Sequence, residues 1–211
     1  MKILLINASA RENGATFAAL TECENEAKRL LSDTELISLG GEARHACIGC
    51  GHCKSGGGCV FPDIQTIYNS ANSSDAFIIG SPSHYFGATG TLISVLSRLF
   101  YSGTDAFLHK PVAVIGVGRR GGIYESISDI ERFFRFSSSP IVTATYPPIL
   151  YASDSKSAEY DAEGLQNMRE ITKNLVWLTK CISLAREQGI TPYPSEKKIK
   201  TDIASLGKIQ E

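Results

Sequence analysis

The chain has 211 residues, 43% of them apolar, and its 21 basic and 22 acidic side chains leave a formal charge of −1. That length suits one domain with a substantial core, and near-neutrality removes the electrostatic case for a nucleic acid or an anionic membrane surface as partner. No apolar run approaches the roughly 18 residues of a membrane span, so a cytoplasmic protein handling small molecules or other proteins is expected.

Residues 3–6 are an apolar run with the length of a buried strand, and residues 15–31 carry Phe17, Leu20, Ala27 and Leu30 at helical spacing. The loop between them contains Ser9, Arg11, Asn13, Gly14, Ala15 and Thr16. A strand that turns straight into a helix aims the free first-turn N–H groups and the positive dipole end at the loop, which suits an anion. The plainer alternative is an ordinary helix cap by Asn13 or Thr16. Residues 35–39 read as a second strand, and a helix beginning at Asp63 presents Ile64, Ile67, Tyr68 and Ala71. The connection over residues 40–62 is far longer than an α/β unit needs, and such connections are usually functional or disordered.

Residues 76–80 form a third strand, followed by Pro82, Ser83, His84, Tyr85, Phe86 and Gly87, and then a helix over 89–101. A fourth strand at 112–117 ends in Gly116, Gly118, Arg119, Arg120 and Gly121, a helix carries Ile127, Ile130, Phe133 and Phe134, and residues 141–146 read as a fifth strand. The last helix spans about 158–186, with Leu165, Met168, Leu175, Leu178 and Ile182 on one stripe, which Trp177, Cys181 and Leu184 widen. This width predicts a homo-oligomer, a dimer or tetramer, unless the rest of the chain covers Val176 and Trp177. Residues 1–189 are thus read as one domain and the polar, proline-punctuated residues 190–211 as a tail.

Strands alternating with helices predict a parallel sheet covered on both faces, with the loops after strands one, three and four gathered at the carboxyl edge, where ligands bind. The first loop is the phosphate candidate, the aromatics of the second could border a flat heterocycle, and the glycines of the third let backbone approach a ring. Gly116, Gly118 and Gly121 spell a dinucleotide pattern, but the acid expected about 20 residues on to hold a ribose is missing, so a stable NAD site is rejected. Phospho-acceptor chemistry fails as well, because the strands end in Asn7 and Ser81 where it needs aspartates.

Four of the six cysteines, Cys47, Cys50, Cys53 and Cys59, lie within 13 residues. In a reducing compartment such clustering favours metal or redox chemistry over structural disulfides. Three thiolates two residues apart can curl around one corner of a cubane, and a fourth after residues 55–58 can close it, so all four can ligate a 4Fe-4S cluster. Zinc, a redox disulfide and bare thiols remain the alternatives.

Together these segments resemble the NADPH-dependent FMN reductase family of the flavodoxin-like superfamily: residues 8–16 its phosphate loop, 81–98 its Ser-Pro-x-Tyr-x-Gly loop and following helix, and 118–122 its Gly-Arg-Arg-Gly-Gly turn. Residues 47–59 are similar to the compact cysteine motif of the iron-sulfur flavoprotein branch. Ala8, Ala10 and Ala15 replace the usual glycine, proline and asparagine, His84 stands where tyrosine is common, and Ile93 and Ser97 replace a lysine and an aspartate. The resemblance implies a flavodoxin-like three-layer sandwich with strand order 2-1-3-4-5. It also implies FMN held by the three loops, NAD(P)H as transient electron donor, and a quinone, azo compound or protein as acceptor. The alternative it offers is an iron-sulfur flavoprotein that carries electrons from ferredoxin.

Overall fold

The computed structural model describes residues 1–194 and Glu196; the rest of the expected tail lies outside the described residues. Five parallel strands, β1 (Lys2–Asn7), β2 (Asp33–Ser38), β3 (Ala76–Pro82), β4 (Val112–Gly118) and β5 (Ile149–Tyr151), lie in the order 2-1-3-4-5. The order is the flavodoxin-like one expected. It places β1 and β3 side by side, so the loops that follow them open at the same edge of the sheet.

The central strands are apolar on both faces because both are covered. Leu4, Ile6, Phe77, Ile79, Val112 and Val114 point into one core with α2 (Gln65–Asn72), α3 (Gly90–Ser102) and α4 (Ile123–Phe136). Their alternate neighbours Ile3, Leu5, Ile78, Ala113 and Ile115 meet α1 (Ala15–Arg29) and α6 (Ala162–Glu187) on the other face. This two-residue alternation distributes one strand between two cores. Four rings, Phe77, Phe100, Phe107 and Phe134, close the first core, with Phe107 edge-on to Phe134 at 5.7 Å.

The structure departs from the sequence reading at three elements. The fifth strand is Ile149–Tyr151 rather than 141–146. Ile141 makes only an isolated bridge beside Val112, and the chain leaves the sheet before Pro147 and Pro148 and rejoins it at Ile149. The last helix begins at Ala162, not near 158, because Asp161 accepts the Gly164 N–H at 2.9 Å and starts it there; a separate turn, α5 (Ser155–Ala158), is closed by a capping box from Asp154 and Ser157. Asp63 lies in a 3₁₀ turn (Pro62–Ile64) that leads into α2.

Candidate functional site

The first loop is shaped by the end of β1. Buried Asn7 accepts the Ser9 N–H through Oδ1 at 3.0 Å and donates to Ser38 Oγ at 3.2 Å, and Ser9 Oγ accepts the Arg11 N–H at 3.1 Å. Gly14, in extended conformation, occupies the N-cap of α1 with no side-chain cap. Neither Asn13 nor Thr16 therefore caps the helix, and its first-turn N–H groups face the loop, the arrangement that favours an anion. A Cβ on Gly14 would stand 3.2 Å from Arg11 Cβ and 3.4 Å from Ser9 Oγ, so the glycine lets the loop close tightly over the helix start. Arg11 and Asn13 are exposed, while Ser9, Ala15 and Thr16 are buried beneath them. Arg11 Nη1 reaches Ser153 O at 3.2 Å and ties this loop to the segment after β5.

Two hydrogen bonds join the loops. Thr89, the N-cap of α3, donates its hydroxyl to Ala8 O at 3.2 Å, and Ser83 donates its own to Gly122 O at 2.8 Å. Between these anchors His84 and Gly87 exchange both backbone hydrogen bonds, at 2.9 and 3.0 Å, around Tyr85 (φ 49°) and Phe86 (φ 66°). Positive φ at both central positions is the hallmark of a type I′ turn, usually filled by asparagine and glycine; two aromatics there are strained, and such strain collects at functional sites. Tyr85 is wholly exposed and Phe86 is 69% exposed, so these rings do not fill the core beneath the loop.

The third loop divides into packing and surface. Gly116 and Gly118 lie under α4, where a Cβ would come within 2.6 and 2.9 Å of Ile123, so helix packing accounts for the absence of a side chain at both. Gly122 (φ 83°) touches Phe86 and fixes the turn from below. Arg119 and Arg120 are exposed, and neither has an ion pair among the described residues.

The cysteine segment forms a second site away from these loops. Cys47, Cys50, Cys53 and Cys59 all line one small cavity with Ile48, Val60, Phe61, Arg98 and Tyr101. Arg98 follows Thr89 by nine residues, so at 1.5 Å per residue the cavity sits about 13 Å down α3 from the carboxyl edge. Left-handed Gly49 (φ 66°) and Gly51 (φ 74°) turn the chain on either side of Cys50, a conformation costly for other residues. All four thiols are free, and Cys53 Sγ approaches Tyr101 O at 3.7 Å. No three metal-binding groups among the described residues gather closely enough for a single ion.

The base of this segment is charged, and of its three ionic residues only Arg98 is fully buried. Arg98, 1% exposed, makes a bidentate pair with Asp63, and Arg44 Nη1 shares the same carboxylate at 3.1 Å. Arg98 beside it is the first cause that holds the Asp63 carboxyl down to about 2. His45 stacks on Phe61 at 4.3 Å, fastening the two ends of the loop. Sequence reasoning passed over Arg98 and Asp63 because a lone arginine on an apolar helix stripe and an aspartate after a proline look like a surface charge and a helix start.

The family model for NADPH-dependent FMN reductase matches residues 1–149. The chain belongs to the NADPH-dependent FMN reductase family. Membership supports an oxidoreductase of the FMN-dependent kind and agrees with the flavodoxin-like order of the sheet. An iron-sulfur flavoprotein of Methanocaldococcus jannaschii is 28% identical over 191 residues, covering 86% of this chain and 99% of the relative. A second, from Archaeoglobus fulgidus, is 25% identical over 201 residues, covering 89% and 100%. Among solved structures, the NAD(P)H:acceptor oxidoreductase FerB of Paracoccus denitrificans superposes with a TM-score of 0.65 at 13% identity, over 85% of this chain and 97% of that one, a likeness of fold alone.

Proposed function

We propose that the protein is an electron-transferring flavoprotein that binds FMN at the carboxyl edge and a 4Fe-4S cluster at the four cysteines. The observation that carries this reading is the convergence of Cys47, Cys50, Cys53 and Cys59 on one cavity, in a chain whose strand–helix loop is uncapped and open to an anion. The donor set fits the cluster: four thiols with soft sulfurs, and beside them two buried guanidinium N–H groups, Arg44 Nε and Arg98 Nε, without a protein partner. When bound, FMN takes up an electron pair and releases electrons singly, and the cluster passes single electrons on.

The residues of the chain bind and orient. Ser9, Arg11, Asn13, Gly14, Ala15 and Thr16 hold the phosphate through the α1 N-terminus, hydroxyls and one charge. Pro82, Ser83, His84, Tyr85 and Phe86 border one side of the ring system, and Gly118, Arg119, Arg120 and Gly121 the other; Gly116 supports that wall from beneath. The strained Tyr85–Phe86 turn leaves its aromatic surface open to an acceptor.

A second donor route, NAD(P)H, is favoured by Arg119 and Arg120, whose exposed guanidiniums beside the ring site suit the phosphates of a dinucleotide. Quinones, azo compounds or a protein would then receive the electrons. Anaerobic stopped-flow reduction distinguishes the routes. Flavin bleaching by reduced ferredoxin at the rate of turnover, with NADPH and NADH far slower, supports the electron-carrier route; bleaching by NADPH at that rate supports the nicotinamide route, and no bleaching by either refutes the reading.

A further inference from the structure

We infer that Arg98, held on Asp63 together with Arg44, places a buried positive charge at the wall of the cysteine cavity and so sets the reduction potential of the cluster held there; this rests on the cluster reading above. Arg98 lies on the face of α3 that otherwise supplies Val95 and Leu99 to the core, and it is among the largest fully buried side chains of the protein. An apolar residue at that position would escape the desolvation that a buried arginine suffers, so packing alone does not account for it. The charge tally around it is uneven. One carboxylate, Asp63, serves two guanidiniums, Arg44 and Arg98, which leaves one positive charge in excess at the wall of the cavity. Both Nε–H groups are buried without a protein acceptor, although buried donors are almost always paired.

Arg98 and Cys59 line the same cavity. The guanidinium also stacks against Phe61, 5.7 Å from the ring centroid, which keeps it from swinging away from the cysteine loop. Hydrogen bonds to cluster sulfurs, net charge and solvent exposure are the protein's means of tuning such a centre. A single electron entering the cluster adds one negative charge and breaks no bond, so a fixed positive neighbour favours the reduced form.

The test is a mediated dithionite titration, followed by EPR, of anaerobically reconstituted full-length protein and three variants. Arg98→Met removes the excess charge and is expected to lower the potential by a tenfold change in the reduced-to-oxidised ratio or more, about 59 mV for a one-electron couple. Asp63→Asn leaves both guanidiniums uncompensated and is expected to raise it, while Arg98→Lys keeps the charge and stays near wild type. Opposite shifts support the inference; shifts in the same direction, or none, overturn it. Where Arg98→Met does not hold iron, Asp63→Asn decides by its sign, a rise supporting the inference and a fall or no change overturning it. Wild-type protein that takes up no iron refutes the cluster reading itself, whereas iron-loaded protein with unmoved potentials refutes the role of Arg98 alone.

Discussion

Replacing Gly122 by alanine strains the joint between two of the loops at the carboxyl edge. Gly122 has φ 83°, and an added Cβ would lie 2.6 Å from both Cα and Cδ1 of Phe86. A left-handed alanine costs about 1–2 kcal/mol, a contact with backbone that no rotamer change relieves adds about 1–3 kcal/mol, and loosening the Ser83–Gly122 hydrogen bond about 1 kcal/mol more. A destabilisation of about 4 kcal/mol lowers Tm by about 8–16 °C in a chain of this size. The neighbouring Gly121→Ala is the control, since its Cβ would meet only Phe86 Cε1, at an ordinary 3.6 Å. Differential scanning calorimetry of both variants, with and without FMN, provides the measurement. Gly122→Ala should also weaken FMN binding at least tenfold, because the Tyr85–Phe86 turn must move to admit the methyl group. A Tm for Gly122→Ala within 2 °C of Gly121→Ala would falsify the proposed coupling of the loops.

Acid should act on the base of the cysteine segment. The Asp63 carboxyl, held near 2 chiefly by Arg98, contributes stability that is present above the ordinary aspartate value of 3.8 and is lost as pH falls toward 2; after discount for its partial exposure the contribution is about 1 kcal/mol. The urea midpoints of wild type and Asp63→Asn should therefore converge from pH 6 to pH 2, and a constant gap contradicts the account. In metal-free protein, alkylation should modify exposed Cys47, Cys50 and Cys181 first and Cys53 and Cys59 more slowly. Cys23, fully buried and with its thiol pushed up to about 12 by burial, should react only on unfolding; labelling of Cys23 at the rate of Cys181 would disprove its burial. On α6, Trp177 and Leu184 remain 67% and 60% exposed in the single chain. A homodimer or homotetramer covering them should scatter light with at least twice the 22.8 kDa chain mass, reduced by Trp177→Glu; a monomeric wild type rules this out.

The strands most buried were the most legible. β1, β3 and β4 are apolar on both faces because two helical layers cover them, and they stand within two residues of where the apolar runs put them. The fifth strand misled for a physical reason. The β-branched run at 141–145 has the composition of a strand yet contributes one bridge, whereas Ile149–Tyr151 is too short to show a period and follows two prolines that lack N–H donors. At the candidate site, the loops were legible from their glycines, hydroxyls and aromatics. What joins them was not: Thr89 to Ala8 O spans 81 residues and Ser83 to Gly122 O spans 39, and no local pattern encodes such pairings. That the glycines at 116 and 118 also make room for Ile123 could not be read from the sequence, because this packing is invisible until α4 is in place. The cysteines could be grouped by spacing alone, but Arg98, 39 residues after Cys59, could be joined to them only in three dimensions.

The cofactor content of a single preparation tests the central claim most directly. Protein purified without oxygen and reconstituted with FMN, iron and sulfide should contain about one flavin, four irons and four acid-labile sulfides per chain, with the iron lost and the flavin kept on Cys50→Ser. Flavin uptake with no iron in the wild type, or iron unaffected by Cys50→Ser, would contradict it.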